Sequence, residues 1–202
     1  MKNKIKLSSV TTYKFGGFCN NYYKITEENI NQYKDIFSDK DNFILGKGSN
    51  VAFSDKDYAG NVIHPNFNKM FYNENTSEII VGSSIYLPDL ARFCKSNNLI
   101  NAEFLIGIPG SVGGAIKMNA GAYGWEFSDL FISLDAYNFI NKEYETLEKQ
   151  QIKFGYRMSN NLEGKIIVSA KLSGIKGDPK LIKERLKEYT AYRKNTQPAG
   201  IY

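Results

Sequence analysis

Apolar positions along the chain recur with two different periods, and the elements follow from them. In "LPDLARFCKSNNL", Leu87, Leu90, Ala91 and Cys94 share one face at helical spacing, and Pro88 sits near the start, where its missing N–H costs nothing. "GDPKLIKERLKEYTAYRKNTQP" repeats the pattern with Ile182, Leu186 and Tyr189, flanked by Leu181, behind an Asp178 cap and Pro179 at the first position. A third helix is predicted over "TEENINQYKDIFSD", capped by Thr26, with Ile30, Tyr33 and Phe37 on its inner face. Elsewhere the period is two. "DLFISLDAYNFI" alternates Leu130, Ile132, Leu134 and Ala136, and "GKIIVSAKLSG" alternates Ile166, Val168, Ala170 and Leu172. Both predict half-buried antiparallel strands. "NFILG", "GNVIHP" and "SEIIVGSS" predict shorter ones. Helices and strands mix without a regular βαβα beat, so the expected class is α+β. An N-terminal subdomain over residues 1–75 and a second over 76–202, ending in the C-terminal helix, are expected.

Composition narrows this little. The 202 residues are 42% hydrophobic and 23% charged, as in ordinary globular proteins. A net charge of +5 favours anionic partners, but the basic residues are scattered. The densest run, "KLIKERLKEYTAYRK", carries Glu184 and Glu188 at helical spacing from lysines, which reads as a solvated helix face rather than a nucleic-acid surface. Cys19 and Cys94 are far apart, and His64 is the one histidine, so neither a metal site nor a histidine-based catalytic dyad is expected. The basic start "MKNKIKLSSV" has no apolar core behind it, and no run approaches the roughly 18 apolar residues of a membrane span. A cytoplasmic chain without membrane or nucleic-acid partners is the expectation.

The candidate chemistry lies in glycine-broken segments. "LGKGSN" (45–50) follows a strand and bares successive backbone N–H groups beside short polar side chains, which suits phosphate oxygens. Alone, it reads more readily as a tight turn. "IPGSVGGAIKMNAGAYG" (108–124) holds five glycines and three alanines, yet interleaves them with Ile108, Val112, Ile116 and Met118. A flexible linker would be polar, so this is packed backbone against which an extended anionic ligand can lie. In "FGYRMS" (154–159), Arg157 beside Tyr156 can aim a planar cation at a carboxylate or a developing enolate; a surface salt bridge with a packed tyrosine is the alternative.

Together, "TTYKFGG" (11–17), "LGKGSN", "EFLIGIPGSVGGAIKMNAGAYG" (103–124) and "FGYRMS" resemble the flavin-containing UDP-N-acetylenolpyruvoylglucosamine reductases (UDP-N-acetylmuramate dehydrogenases) of bacterial peptidoglycan synthesis, over about residues 8–198. The resemblance implies a vanillyl-alcohol-oxidase-type FAD-binding fold of two subdomains, with FAD held noncovalently and NADPH as hydride donor. It implies reduction of UDP-N-acetylglucosamine enolpyruvate to UDP-N-acetylmuramate. By the same resemblance the FAD site would comprise Gly46, Lys47, Gly48, Ser49 and Asn50 at the pyrophosphate. Ile108, Pro109, Gly110, Ser111, Gly113, Gly114, Ala115, Asn119, Ala120, Gly121 and Tyr156 would line the rest. Arg157 matches the catalytic arginine of the family's "YR-x-S" motif, which stabilises charge on the substrate carboxylate.

Two family groups have no match in these residues. The proton-donating serine belongs to a "GS-x-FKNP"-like segment beyond the "QP" that ends the linking helix, and an assisting glutamate lies near the family's C-terminus. This sequence reads "NTQPAGIY" at that point, and Ser128, Ser133, Ser159 and Ser173 lie in other contexts. The expectation is a shortened reductase lacking the C-terminal substrate domain, able to hold FAD but incomplete for turnover. The alternative is a standalone FAD-binding module without reductase activity or needing a partner chain. Another flavin oxidoreductase of this fold fits less well with "FGYRMS" and the full central motif.

Overall fold

The computed structural model describes residues 3–36 and 41–197. Phe37 of the third predicted helix and Pro198 of "QP" lie outside the described residues. Two sheets organise the chain. The first has the order β1-β2-β4-β3, from Asn3–Lys6 (β1), Phe18–Ile25 (β2), Asn42–Ile44 (β3) and Asn61–Pro65 (β4). β1 runs antiparallel to β2, whereas β2 and β3 both run parallel to β4. The second sheet is antiparallel throughout, in the order β10-β9-β13-β6-β5. Its strands are Met70–Asn73 (β5), Glu78–Gly82 (β6), Phe131–Asn138 (β9), Glu143–Glu148 (β10) and Lys165–Ser173 (β13). Between β6 and β9 come the helices Leu87–Ser96 (α1), Val112–Lys117 (α2) and Phe127–Leu130 (α3), with a small hairpin of Gly121–Ala122 (β7) and Trp125–Glu126 (β8). A second hairpin, Phe154–Gly155 (β11) and Met158–Ser159 (β12), precedes β13, and Pro179–Thr196 (α4) follows it.

Three apolar clusters hold these layers. The largest lies on the helix side of the second sheet and joins Val81, Leu134, Ala170 and Leu172 to Leu87, Leu90, Cys94, Ile116, Ile182 and Leu186. The second, with Tyr23, Ile25, Ile63, Phe67, Tyr137 and Ile166, is shared by the two sheets. The third lies on the opposite face of the first sheet and contains Leu7, Cys19, Tyr22, Leu45 and Val62. β4 is therefore covered on both faces, Val62 on one and Ile63 on the other, which is why two consecutive residues of it are apolar. Cys94 lies in the largest cluster, and burial first, then nearby Glu103, pushes its thiol up to about 12. Both cysteines are free and buried.

The periodic helices form as expected. α1 buries Leu87, Leu90, Ala91 and Cys94, and α4 begins at Pro179 with the Asp178 side chain accepting from the Lys180 N–H. Two expectations need correction. Residues 30–33 are a 3₁₀ turn rather than the start of an α-helix, although Ile30 and Tyr33 are buried as predicted. Asn29 diverts the backbone there: its Oδ1 accepts from the Thr26 N–H and its Nδ2 donates to the Lys24 carbonyl, a local competitor of helix bonding. In β13, Ile166, Val168, Ala170 and Leu172 do not share one face. The register against β9 slips between Ile167 and Ser169, a bulge that leaves Ile166 and Val168 with the inter-sheet cluster and Ala170 and Leu172 with the main core. Among the described residues, no helix is long and apolar enough to cross a membrane, and no group of three or more His, Cys, Asp or Glu side chains could hold a metal.

Candidate functional site

β3 and β4 are parallel neighbours, and the Leu45 N–H donates to the Ile63 carbonyl at 2.8 Å, so the "LGKGSN" loop leaves from the C-terminal edge of the pair. In open sheets with parallel strands this edge is where ligands bind. The loop lies against the start of "TTYKFGG": the Thr12 N–H donates to the Gly48 carbonyl at 2.9 Å. On its other side it meets the central motif. The Ser49 hydroxyl donates to the Pro109 carbonyl at 3.1 Å, and a Cβ on Gly46 would stand 2.6 Å from Ser111 Oγ.

The central motif is not loop throughout. Ser111 has extended backbone and its hydroxyl accepts from the Gly114 N–H, capping α2. Gly113 and Gly114 therefore sit inside a helix, and Gly113 packs close to Ser83, with its N–H donating to the Ser83 carbonyl at 2.8 Å. Of the remaining motif residues, Ala115 is buried in the main core, while Ile108, Ala120 and Gly121 are half-buried. Pro109, Gly114, Lys47 and Asn50 are exposed. Tyr123 and Gly124, both with positive φ, turn the β7–β8 hairpin. Tyr123 stacks on Tyr189 of α4 with centroids 4.1 Å apart, and its hydroxyl donates to the Tyr189 carbonyl.

Asn119 joins this motif to the β11–β12 hairpin. It is fully buried, with φ +40°, and both ends of its amide are taken by protein groups. Nδ2 donates to Glu126 Oε2 (2.8 Å) and to the Gly155 carbonyl (3.1 Å), and Oδ1 accepts from the Ser128 N–H (3.0 Å). A second tie lies beside it: the Ser159 hydroxyl donates to the Lys117 carbonyl at 3.0 Å. Replacing Asn119 with alanine leaves three half-buried polar groups short of a partner. An expected loss of about 3 kcal/mol, read as a lower midpoint in urea unfolding, follows from the usual cost of such groups.

Arg157 stands at the tip of the clamped hairpin. Its φ of +55° is costly for a side chain with a Cβ, an outlier of the kind that collects at functional positions. Nη2 donates to the Gly121 carbonyl at 3.2 Å, and the guanidinium lies 5.1 Å from the Tyr156 ring centroid. Tyr156 is 82% exposed, and no carboxylate pairs with Arg157 among the described residues, so neither a packed tyrosine nor a surface salt bridge describes the pair. The guanidinium is held by neutral groups, with no carboxylate oxygen within ion-pair range among the described residues.

The four sequence segments thus form one chain of contacts, from residues 10–12 through 45–50 and 109–121 to 154–159. Their surface fits a cofactor carrying a diphosphate. A Cβ on Gly46 would meet Ser111 Oγ at 2.6 Å and one on Gly48 the Val10 carbonyl oxygen at 2.2 Å, so the loop holds its close approach to both neighbours only with glycine at these positions. Ser83 Oγ, beside Gly113, is buried without a hydrogen-bond partner among the described residues. Sequence reasoning did not find Ser83, the Lys117–Ser159 tie, or the contact of Tyr22 with His64. Each joins residues far apart in the chain, and no local pattern signals them.

Comparison with known proteins agrees with this geometry. The FAD binding domain family matches residues 39–141. UDP-N-acetylenolpyruvoylglucosamine reductase of Rickettsia massiliae is 34% identical over 98% of this chain and 67% of its own length, and that of Rickettsia rickettsii is 35% identical with the same coverage. The crystal structure of UDP-N-acetylenolpyruvylglucosamine reductase from Thermus caldophilus superposes with a TM-score of 0.85 at 26% identity, covering 98% of this chain and 71% of that one. A Physcomitrella patens BBE-like 1 variant shares the fold alone, with a TM-score of 0.57 at 12% identity over 87% of this chain and 42% of its own. The chain spans about two thirds of the length of the curated relatives it matches.

Proposed function

Because this chain belongs to the UDP-N-acetylenolpyruvoylglucosamine reductase family and has its vanillyl-alcohol-oxidase-type FAD-binding fold, we propose that it works in peptidoglycan precursor synthesis. Its role there is to hold FAD for the NADPH-driven reduction of UDP-N-acetylglucosamine enolpyruvate to UDP-N-acetylmuramate. The observation that carries this reading is the contact of all four motif segments along one surface. FAD, when bound, supplies the hydride chemistry that no side chain can. The chain's own residues bind and orient. The backbone of the 46–50 loop, with the Ser111 hydroxyl beside Gly46, is suited to the diphosphate. The backbone of 108–121 forms the wall that fits the flavin. Arg157 faces the substrate carboxylate and lowers the energy of the enolate that develops on the substrate, a task for a preorganised guanidinium. Tyr156 orients it through their ring contact.

A flavin spectrum tests this directly. The purified 202-residue chain, mixed with FAD and desalted, is expected to retain close to one equivalent with quenched flavin fluorescence. Finding no bound flavin would overturn the reading. The same preparation is expected not to reduce the enolpyruvyl substrate with NADPH, because nothing in these residues matches the family's proton-donating serine or its assisting glutamate. General acids contribute about 10²- to 10⁴-fold, so robust turnover would show that another group of this chain donates the proton.

A further inference from the structure

We propose that His64, held by Tyr22, makes binding of the FAD diphosphate proton-linked: the imidazole takes up a proton as the anion seats in the 46–50 loop. The proposal rests on the FAD reading above. Its ground is the placement of the chain's one histidine. His64 lies near the end of β4, one residue past Ile63, whose carbonyl receives the Leu45 N–H, so it is level with the start of the loop. Val62, on the same strand face, packs with Tyr22 and Leu45. Tyr22 Oη meets His64 Nδ1, and the rings are edge-to-face at 5.7 Å. That contact occupies Nδ1 and fixes the ring; Nε2 has no hydrogen-bond partner among the described residues.

The charges around the ring have one sign. Lys24 is the register partner of His64 on β2, and Lys47 belongs to the loop itself; these two and the Tyr22 phenol are the titratable groups that face it. Neither lysine has a carboxylate partner among the described residues. Burial first, then Lys47 and Lys24, hold the imidazole below its ordinary value, so it is neutral in the free protein at pH 7. A half-buried histidine flanked by two exposed lysines, neither paired with a carboxylate, is completed by an anionic ligand. A diphosphate reverses the sign of the field and favours the imidazolium, whose Nε2–H then becomes a charged donor. Linkage fixes the direction: if the anion raises the His64 pKa, protonation tightens the anion equally. FAD affinity then rises as pH falls through the pKa of the complex and levels off below that of the free protein.

With one histidine the test is clean. The single imidazole Cε1–H resonance of the wild-type chain, followed between about pH 5 and 8.5, reports this residue alone. Saturating FAD is expected to move its midpoint upward, with the phosphorus resonances of bound FAD shifting at the same midpoint. FAD should bind about fivefold more tightly at pH 6 than at pH 8, and H64Q should abolish that dependence. An unmoved His64 midpoint, phosphorus signals that ignore it, or a pH dependence that survives in H64Q would each overturn the proposal while leaving FAD binding intact. Failure to bind FAD at every pH would instead sink the cofactor reading, and this proposal with it. The two resonance measurements need no variant, so a folding defect in H64Q does not decide the matter.

Discussion

Replacing Gly48 with alanine is expected to abolish FAD retention and to lower stability by about 5 kcal/mol, at the upper end of what single substitutions do. The glycine has φ +65°, which alone costs an alanine roughly 1–2 kcal/mol. The added Cβ would also stand 2.2 Å from the Val10 carbonyl oxygen and 2.9 Å from Thr11 Cα. Both are backbone atoms, so relief requires moving the main chain rather than swinging a side chain. That main chain is tied on both sides, through the Thr12–Gly48 hydrogen bond and through Ser49 to Pro109. A shift large enough to admit the methyl group would pull the loop from the central motif and open the seat proposed for the diphosphate. Gly124→Ala is the control. It too has positive φ, at +81°, but a Cβ there meets nothing within 4 Å, so only the local strain remains. Urea unfolding of the two variants separates crowding from strain. Equal losses would show that the packing of Gly48 against residues 10–11 is unimportant.

Much of this was legible from short-range pattern, and the exceptions have physical causes. α1 and α4 carry apolar residues on one face and start signals at Pro88, Asp178 and Pro179, so local sequence suffices. β2 escaped notice because it is buried on both faces: Cys19 and Tyr22 turn one way, Tyr23 and Ile25 the other, and alternation disappears; β1 is a short edge strand whose one apolar residue is Ile5. α2 was hidden by its two glycines, which read as breakers although Ser111 caps the helix and Gly113 lets it pack against Ser83. The bulge in β13 inverts the faces of an alternating run, which composition cannot reveal. At the site, the sequence located the segments but not the roles of individual side chains. Asn119 reads as one more small polar residue beside glycines, yet its amide ties two hairpins together. That role depends on Gly155, 36 residues away, and no spacing rule connects them.

Arg157→Ala is expected to reduce turnover about 10²- to 10³-fold while leaving FAD bound, the cost typical of losing one preorganised donor to a developing negative charge. The measurement needs a preparation that turns over, obtained by extending this chain with the remaining third of a Rickettsia reductase's length. Fold damage should be small, because Arg157 is exposed and gives up one hydrogen bond, to Gly121. The electrostatic loss is larger because the guanidinium has no carboxylate beside it among the described residues. The turn at φ +55° and the bond to the Gly121 carbonyl fix where the guanidinium points. Arg157→Lys divides charge from geometry. A lysine keeps the charge but not the planar fork that can grip a carboxylate by two bonds, so it should restore only part of the rate. Full rescue by lysine would reduce the residue to a point charge. If Arg157→Ala instead released FAD, the arginine would belong to the cofactor seat, and the enolate would have to be stabilised by residues elsewhere.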